Sequence, residues 1–132
     1  DLLEPLRRSL GAAPPCCYLG LRAEMVDERL VVVLPALERH VGDARHRTLH
    51  GGVLAAFLEA AAWSVLDAQR AGRPVTTLSF SSAFVRPAVV ADTCATVGVV
   101  RMGRRVAHVR VDAWQSDPGN VVAIGQGTFS LR

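Results

Sequence analysis

Residues 50–70 read HGGVLAAFLEAAAWSVLDAQR, and from Val53 to Leu66 only Glu59 and Ser64 are not apolar. The run is too long for a strand and predicts a helix over residues 53–70, closed by Gly72 and Pro74. A helix that is apolar on nearly every side must be buried on nearly every side. The chain that follows supplies the cover. Leu78, Phe80 and Phe84 alternate with Thr77, Ser79, Ser81 and Ala83, a strand that Pro87 bends or ends. Residues 95–101 and 106–114 read as strands around a turn at Gly103-Arg104, and 121–131 as a last strand after the turn at Ser116–Asn120. One long helix followed by four hairpin-linked strands predicts an α+β fold, its antiparallel sheet curled around the helix.

Working back toward the start, Leu2, Leu3, Leu6 and Leu10 have helical spacing, and Gly11 with Pro14-Pro15 reads as the stop. Residues 18–24 and 29–34 read as strands joined by a turn at Asp27-Glu28. Residues 35–49 are polar and read as irregular. At 132 residues, half of them apolar, the chain makes one domain over 1–132, with 1–15 as an N-terminal helix and linker. This composition excludes a disordered or collagen-like chain. No run of 18 apolar residues occurs, and the acidic Asp1–Pro5 is unlike a secretory signal. The expected location is the cytoplasm, with no membrane partner. Cys16, Cys17 and Cys94 have no metal-ligand spacing and read as reduced, buried thiols.

Glu59 is the informative residue. Its helical neighbours Ala55, Ala56, Ala62 and Trp63 include no cation, so a buried carboxylate there is costly unless something offsets it. Either Glu59 lies on an exposed stripe, or it faces a cavity and does acid–base or nucleophilic work. Gly51-Gly52 stands at the amino end of the same helix. There free N–H groups form an oxyanion site, although a Gly-Gly turn of purely conformational purpose reads the same way. Eight residues separate Gly51 from Glu59, about 12 Å along the axis. One chain can hardly place both groups on one carbonyl; two helices antiparallel across a two-fold axis can.

Leu49-His50-Gly51-Gly52, with an acid nine positions after the His, resembles the hotdog-fold acyl-CoA thioesterases of the phenylacetyl-CoA thioesterase type. Thr77–Phe80 through Phe84-Val85-Arg86-Pro87-Ala88, Gly103-Arg104-Arg105 and Gly127-Thr128-Phe129 extend the likeness from about Tyr18 onward. The resemblance implies a hotdog fold: a curved antiparallel sheet wrapped around one long central helix. It implies hydrolysis of acyl-CoA or aryl-CoA thioesters with no metal or redox cofactor, coenzyme A being part of the substrate. It also implies a homodimer with shared active sites, paired into a dimer of dimers.

Carried over residue by residue, Glu59 falls on the catalytic carboxylate and Gly51 on the oxyanion N–H. His50 orients the loop or bonds the thioester carbonyl, and Thr77 assists the attacking water. Whether Glu59 is base or nucleophile stays open. Gly52 adjoins the oxyanion site. Ala44 stands where members carry Asn or Gln, and the adjacent Asp43 is the candidate substitute. Trp63, Phe57, Phe80 and Val85 are candidates to shape the acyl pocket, and core packing accounts for them equally well.

All 15 basic residues are arginine, against 12 acids. No basic stripe with interleaved aromatics occurs, so nucleic acid is not an expected partner. Arg86, Arg104 and Arg105 are candidates to hold the CoA phosphates. His108 reads as solvent-facing, and His40 and His46 lack zinc spacing. Two other functions compete: a non-catalytic acyl-CoA-binding protein on the same fold and, less favoured, a hydratase or dehydratase of hydroxyacyl thioesters.

Overall fold

His50 starts the central helix. Its backbone is extended, and its Nδ1 accepts the Gly52 N–H at 2.9 Å, a side-chain cap on the first turn. In a computed structural model that describes residues 1–71 and 73–132, the elements follow in chain order. They are α1 (Leu3–Ala12), α2 (Pro14–Leu19), β1 (Arg22–Val26), β2 (Arg29–Leu34), a 3-10 turn (Glu38–His40), β3 (Val41–Asp43) and β4 (Thr48–Leu49). Then come α3 (Gly51–Arg70), β5 (Thr76–Phe84), β6 (Thr93–Met102), β7 (Val106–Trp114) and β8 (Val121–Ser130). Six strands form one antiparallel sheet in the order β1-β2-β6-β7-β8-β5, with β3-β4 as a separate ribbon.

The expected long helix and four following strands are present, with ends shifted by a few residues. Helix α3 ends at Arg70 with Ala71 left-handed (φ 50°), and Gly72, expected to close it, lies outside the described residues. By length and composition α3 could cross a bilayer, yet over half of it is buried in this fold. Its core face carries Leu54, Phe57, Leu58, Ala61, Ala62 and Leu66. The sheet offers Ala95, Ala107, Ala113 and Ala123 beside Val109, Val111 and Phe129. The abundant alanines thus let helix and sheet approach closely. Phe57 is wholly buried here, a core residue.

Three expectations are corrected. The Pro14-Pro15 pair stops α1 at Ala12, as expected, with the intervening Ala13 extended, but it also opens a second helix, α2, because proline fits the first turn, where the N–H has no acceptor. Tyr18 therefore lies in α2; the left-handed Gly20 (φ 77°) ends that helix, and the strand begins at Arg22. Residues 35–49 are not irregular throughout, since they contain the 3-10 turn and the β3-β4 ribbon. Nor does the sheet cover α3 completely: Glu59, Ala60, Trp63 and Asp67 stay half-exposed, and Ala56 is exposed. The turn at Asp27-Glu28 is confirmed, with both residues at positive φ (50° and 63°) as a two-residue hairpin requires. Of the cysteines, all free, Cys16 is buried, Cys94 intermediate and Cys17 exposed, so the buried expectation holds for Cys16 alone.

A close approach fixes the β5–β8 seam. A Cβ built on Gly127 would lie 2.5 Å from the Phe80 ring and 2.7 Å from the Ser79 carbonyl oxygen. The ring could shift; the backbone oxygen could not without loosening the ladder. Gly127→Ala is therefore expected to lower stability by about 1–3 kcal/mol, read as a lower urea midpoint. A midpoint equal to the parent's would show that the seam has slack.

Candidate active site

The amino end of α3 is held on several sides. The His50 N–H donates to the His40 carbonyl at 2.7 Å, and the Leu49 N–H to the Ala88 carbonyl at 2.9 Å. Gly42 lies so near that a Cβ there would stand 2.8 Å from His50 Cα. His40 itself is fully buried, its Nδ1 2.9 Å from the Pro35 carbonyl. The His50 carbonyl accepts the N–H groups of Val53 and Leu54. Gly52, expected at the substrate, instead donates its N–H to His50 Nδ1. The Gly51 N–H has no acceptor among the described residues. Accepting at Nδ1 also places the proton of a neutral His50 ring on Nε2.

Glu59 opens into a cleft of about 710 Å³. Ala56, Ala60, Trp63 and Asp67 of α3 form one wall; Thr77 and the α1–α2 junction, Ala12 to Cys16, form the rest. The Trp63 indole N–H donates to the Val75 carbonyl at 3.0 Å, which fixes its ring. The Glu59 carboxylate has no hydrogen bond or ion pair among the described residues. Cys16 is no rival nucleophile. Burial, with the neighbouring Cys17 and the Asp67 charge, pushes its thiol up to about 11, so it stays protonated near neutral pH.

The cleft unites Glu59, Thr77 and Trp63 but not the other candidates. His50 and Gly51 lie at the far end of α3, where the Phe84 ring would stand 3.7 Å from a Cβ on Gly51. Phe80 does not line the Glu59 cleft: its ring packs edge-on to Phe129 and across Gly125 and Gly127. Asp43 is occupied by its own turn. Its carboxylate contacts His46 Nδ1 at 2.6 Å and accepts the N–H of Arg45, contacts that hold it below the usual carboxylate range. Arg86, Arg104 and Arg105 are exposed, as is His108, whose Nδ1 meets the Thr128 hydroxyl at 3.1 Å. No group of His, Cys, Asp or Glu among the described residues could hold a metal. Sequence reasoning missed the Ala12–Cys16 wall and Asp67. The signals were present: a proline pair able to open a helix, and an acid two i+4 steps beyond Glu59.

The model of a family described as the thioesterase superfamily matches residues 46–122. The chain belongs to the thioesterase superfamily. The match spans His50, Gly51, Glu59 and Thr77 and leaves out the Ala12–Cys16 wall. Mouse acyl-coenzyme A thioesterase 13 is 24% identical over 105 residues, covering 79% of this chain and 74% of that protein. A phenylacetic acid degradation-related protein from Ralstonia eutropha superposes with a TM-score of 0.78 at 25% identity, covering 95% and 98% of the two chains. The phenylacetic acid degradation protein PaaI from Thermus thermophilus gives 0.74 at 27%, covering 91% and 100%. The expected hotdog fold is therefore present, and this thioesterase-superfamily chain is a thioester hydrolase.

Proposed function

We propose that the chain hydrolyses acyl-CoA or aryl-CoA thioesters at sites shared between two copies, the Gly51 N–H of one facing the partner's Glu59. The observation that carries this reading is the pair of unpartnered groups at opposite ends of one helix segment. Each is what a thioester hydrolysis needs: a donor for the carbonyl oxygen and a carboxylate beside a hydroxyl.

The edge strand supports the pairing. Strand β5 lies at the sheet edge, and Leu78, Phe84 and Val85 on or beside it are 59%, 57% and 46% exposed. Such an apolar edge calls for a cover. Its Thr77 end lies in the Glu59 cleft and its Phe84 end beside Gly51. Antiparallel pairing of two β5 edges about a two-fold axis brings the Thr77 end of one copy to the Phe84 end of the other. Glu59 then meets the Gly51 of the second copy, twice. The arginines follow. Strand register puts the Gly103–Arg105 hairpin at the Thr77 end and Arg86 just beyond Phe84, so both sets flank the composite site. A dimer of dimers would repeat this unit.

In the reaction, the Gly51 N–H, aided by His50, polarises the thioester carbonyl. Glu59 takes a proton from a water held by Thr77, and the hydroxide adds to the carbonyl carbon. Collapse breaks the C–S bond, and Glu59 returns the proton to the CoA thiolate. Alternatively, Glu59 attacks directly, expels CoA and leaves a mixed anhydride that water opens. Neither route asks for a metal or redox cofactor.

The test is turnover of short, medium, long and aromatic acyl-CoAs, followed by release of free thiol. Hydrolysis of at least one class is expected, and inertness toward all of them would overturn the reading. Reversing Arg104 and Arg105 together to Glu is expected to raise KM about tenfold with little change in kcat; an unchanged KM would move the phosphate site elsewhere. Binding without turnover would favour the acyl-CoA-binding alternative, to which the occupied Asp43 and the small Ala44 lend support.

A further inference from the structure

The far end of the Glu59 cleft is polar. Ser9 of α1 donates its hydroxyl to Asp67 Oδ2 at 2.7 Å, a bridge between α1 and α3 that leaves Oδ1 free among the described residues. Ser9 is buried and Asp67 half-buried. Asp67 lies at once in the cleft and in a second depression of about 430 Å³ beside Pro5 and Arg8. The Ser9–Asp67 bridge is thus a bar between the two hollows. Between Glu59 and this bar the lining is Ala60, Trp63 and the Ala12–Pro15 segment, largely apolar, with the Trp63 N–H already given to Val75.

Resting on the thioester reading above, we infer that Asp67, held by Ser9, selects acyl groups of medium length that carry a hydroxyl at the end distal to the thioester. Length follows from the helix. Asp67 is eight residues beyond Glu59, about 12 Å along the axis. An extended chain advances roughly 1.3 Å per carbon–carbon bond, so about nine bonds span this distance, or about eight plus the hydrogen bond that a terminal hydroxyl makes. Chemistry follows from the acceptor. A hydroxyl arriving there donates to Oδ1 and replaces the water that the carboxylate gives up. A methyl terminus strips that water and returns nothing. A longer chain must force the bar itself.

The experiment compares 8-hydroxyoctanoyl-CoA, octanoyl-CoA and hexadecanoyl-CoA on the full chain, Asp67→Leu and Asp67→Asn. For the parent, kcat/KM is expected to favour the hydroxylated thioester over octanoyl-CoA by about tenfold, and over the long chain by more. Asp67→Leu should erase or invert the ratio. Asp67→Asn, which keeps an acceptor oxygen, should retain most of it, a rescue that simple loss of packing would not show. Calorimetric binding of the same thioesters to Glu59→Gln reads the preference without turnover. Equal rates on the two eight-carbon thioesters, or a preference that survives Asp67→Leu, would overturn this inference and leave hydrolysis standing. No turnover by the parent, with tighter binding of the hydroxylated thioester to Glu59→Gln, would overturn the hydrolytic reading and leave this one standing.

Discussion

Glu59→Gln is expected to lower kcat for acyl-CoA hydrolysis by about three orders of magnitude while KM changes little. Glutamine matches the side chain in size and stays in the same cleft among Ala56, Ala60, Trp63 and Thr77. What it loses is the basic, negatively charged carboxylate that takes a proton or attacks carbon, so the loss falls on the chemical step. Because the Glu59 carboxylate has no ion pair to break, folding should be unaffected, and circular dichroism and urea midpoint serve as controls. Glu59→Asp keeps the charge but withdraws it by one methylene, and an intermediate loss is expected from misplacement. A Glu59→Gln rate within tenfold of the parent would remove Glu59 from the chemistry.

Gly51→Pro is expected to lower kcat by about two to three orders of magnitude with the helix intact. Proline belongs at the first helical position, where its missing N–H costs no helix bond. The preceding His50, at φ −66° and ψ 130°, already has the extended backbone that a following proline demands. A Cβ at this position would meet the Phe84 ring at 3.7 Å, an ordinary contact. The substitution thus deletes the free N–H of the first helical turn and little else. Gly51→Ala, which keeps that N–H, is the active control. Co-expression sharpens the test. A mixed dimer of Glu59→Gln and Gly51→Pro chains has one site with both native groups and one with neither. Random pairing then returns about a quarter of parental activity from two dead chains. A mixture that stays inactive would refute the shared site.

The reach of the sequence is uneven for physical reasons. The central helix and the last three strands were legible because their apolar periods are long and their turns carry Gly or Pro. Glu59 stood out because nothing within helical reach could neutralise it. The N-terminal strand was misplaced because Pro14-Pro15 closes α1 and also opens α2, and whether a second helix follows depends on packing, not local pattern. Phe80 and Gly52 were assigned to the site on residue type. Where a ring rests (over Gly125 and Gly127) and which N–H a cap consumes (that of Gly52) are tertiary facts. Asp67 was overlooked because it gains meaning only when Ser9, distant in the chain, is brought against it.

The sheet order also sets a timetable for synthesis. Among the described residues strand β5 pairs only with β8, so it leaves the ribosome well before its neighbour, Val121–Ser130, exists. During that interval an apolar segment with Leu78, Phe80 and Phe84 is unpaired, a state that invites association with other nascent chains. Ser79, Ser81 and Ser82 break up its apolar surface, as gatekeeper residues do in aggregation-prone strands. The serines that make β5 a poor core strand therefore keep it soluble while it waits for its partner.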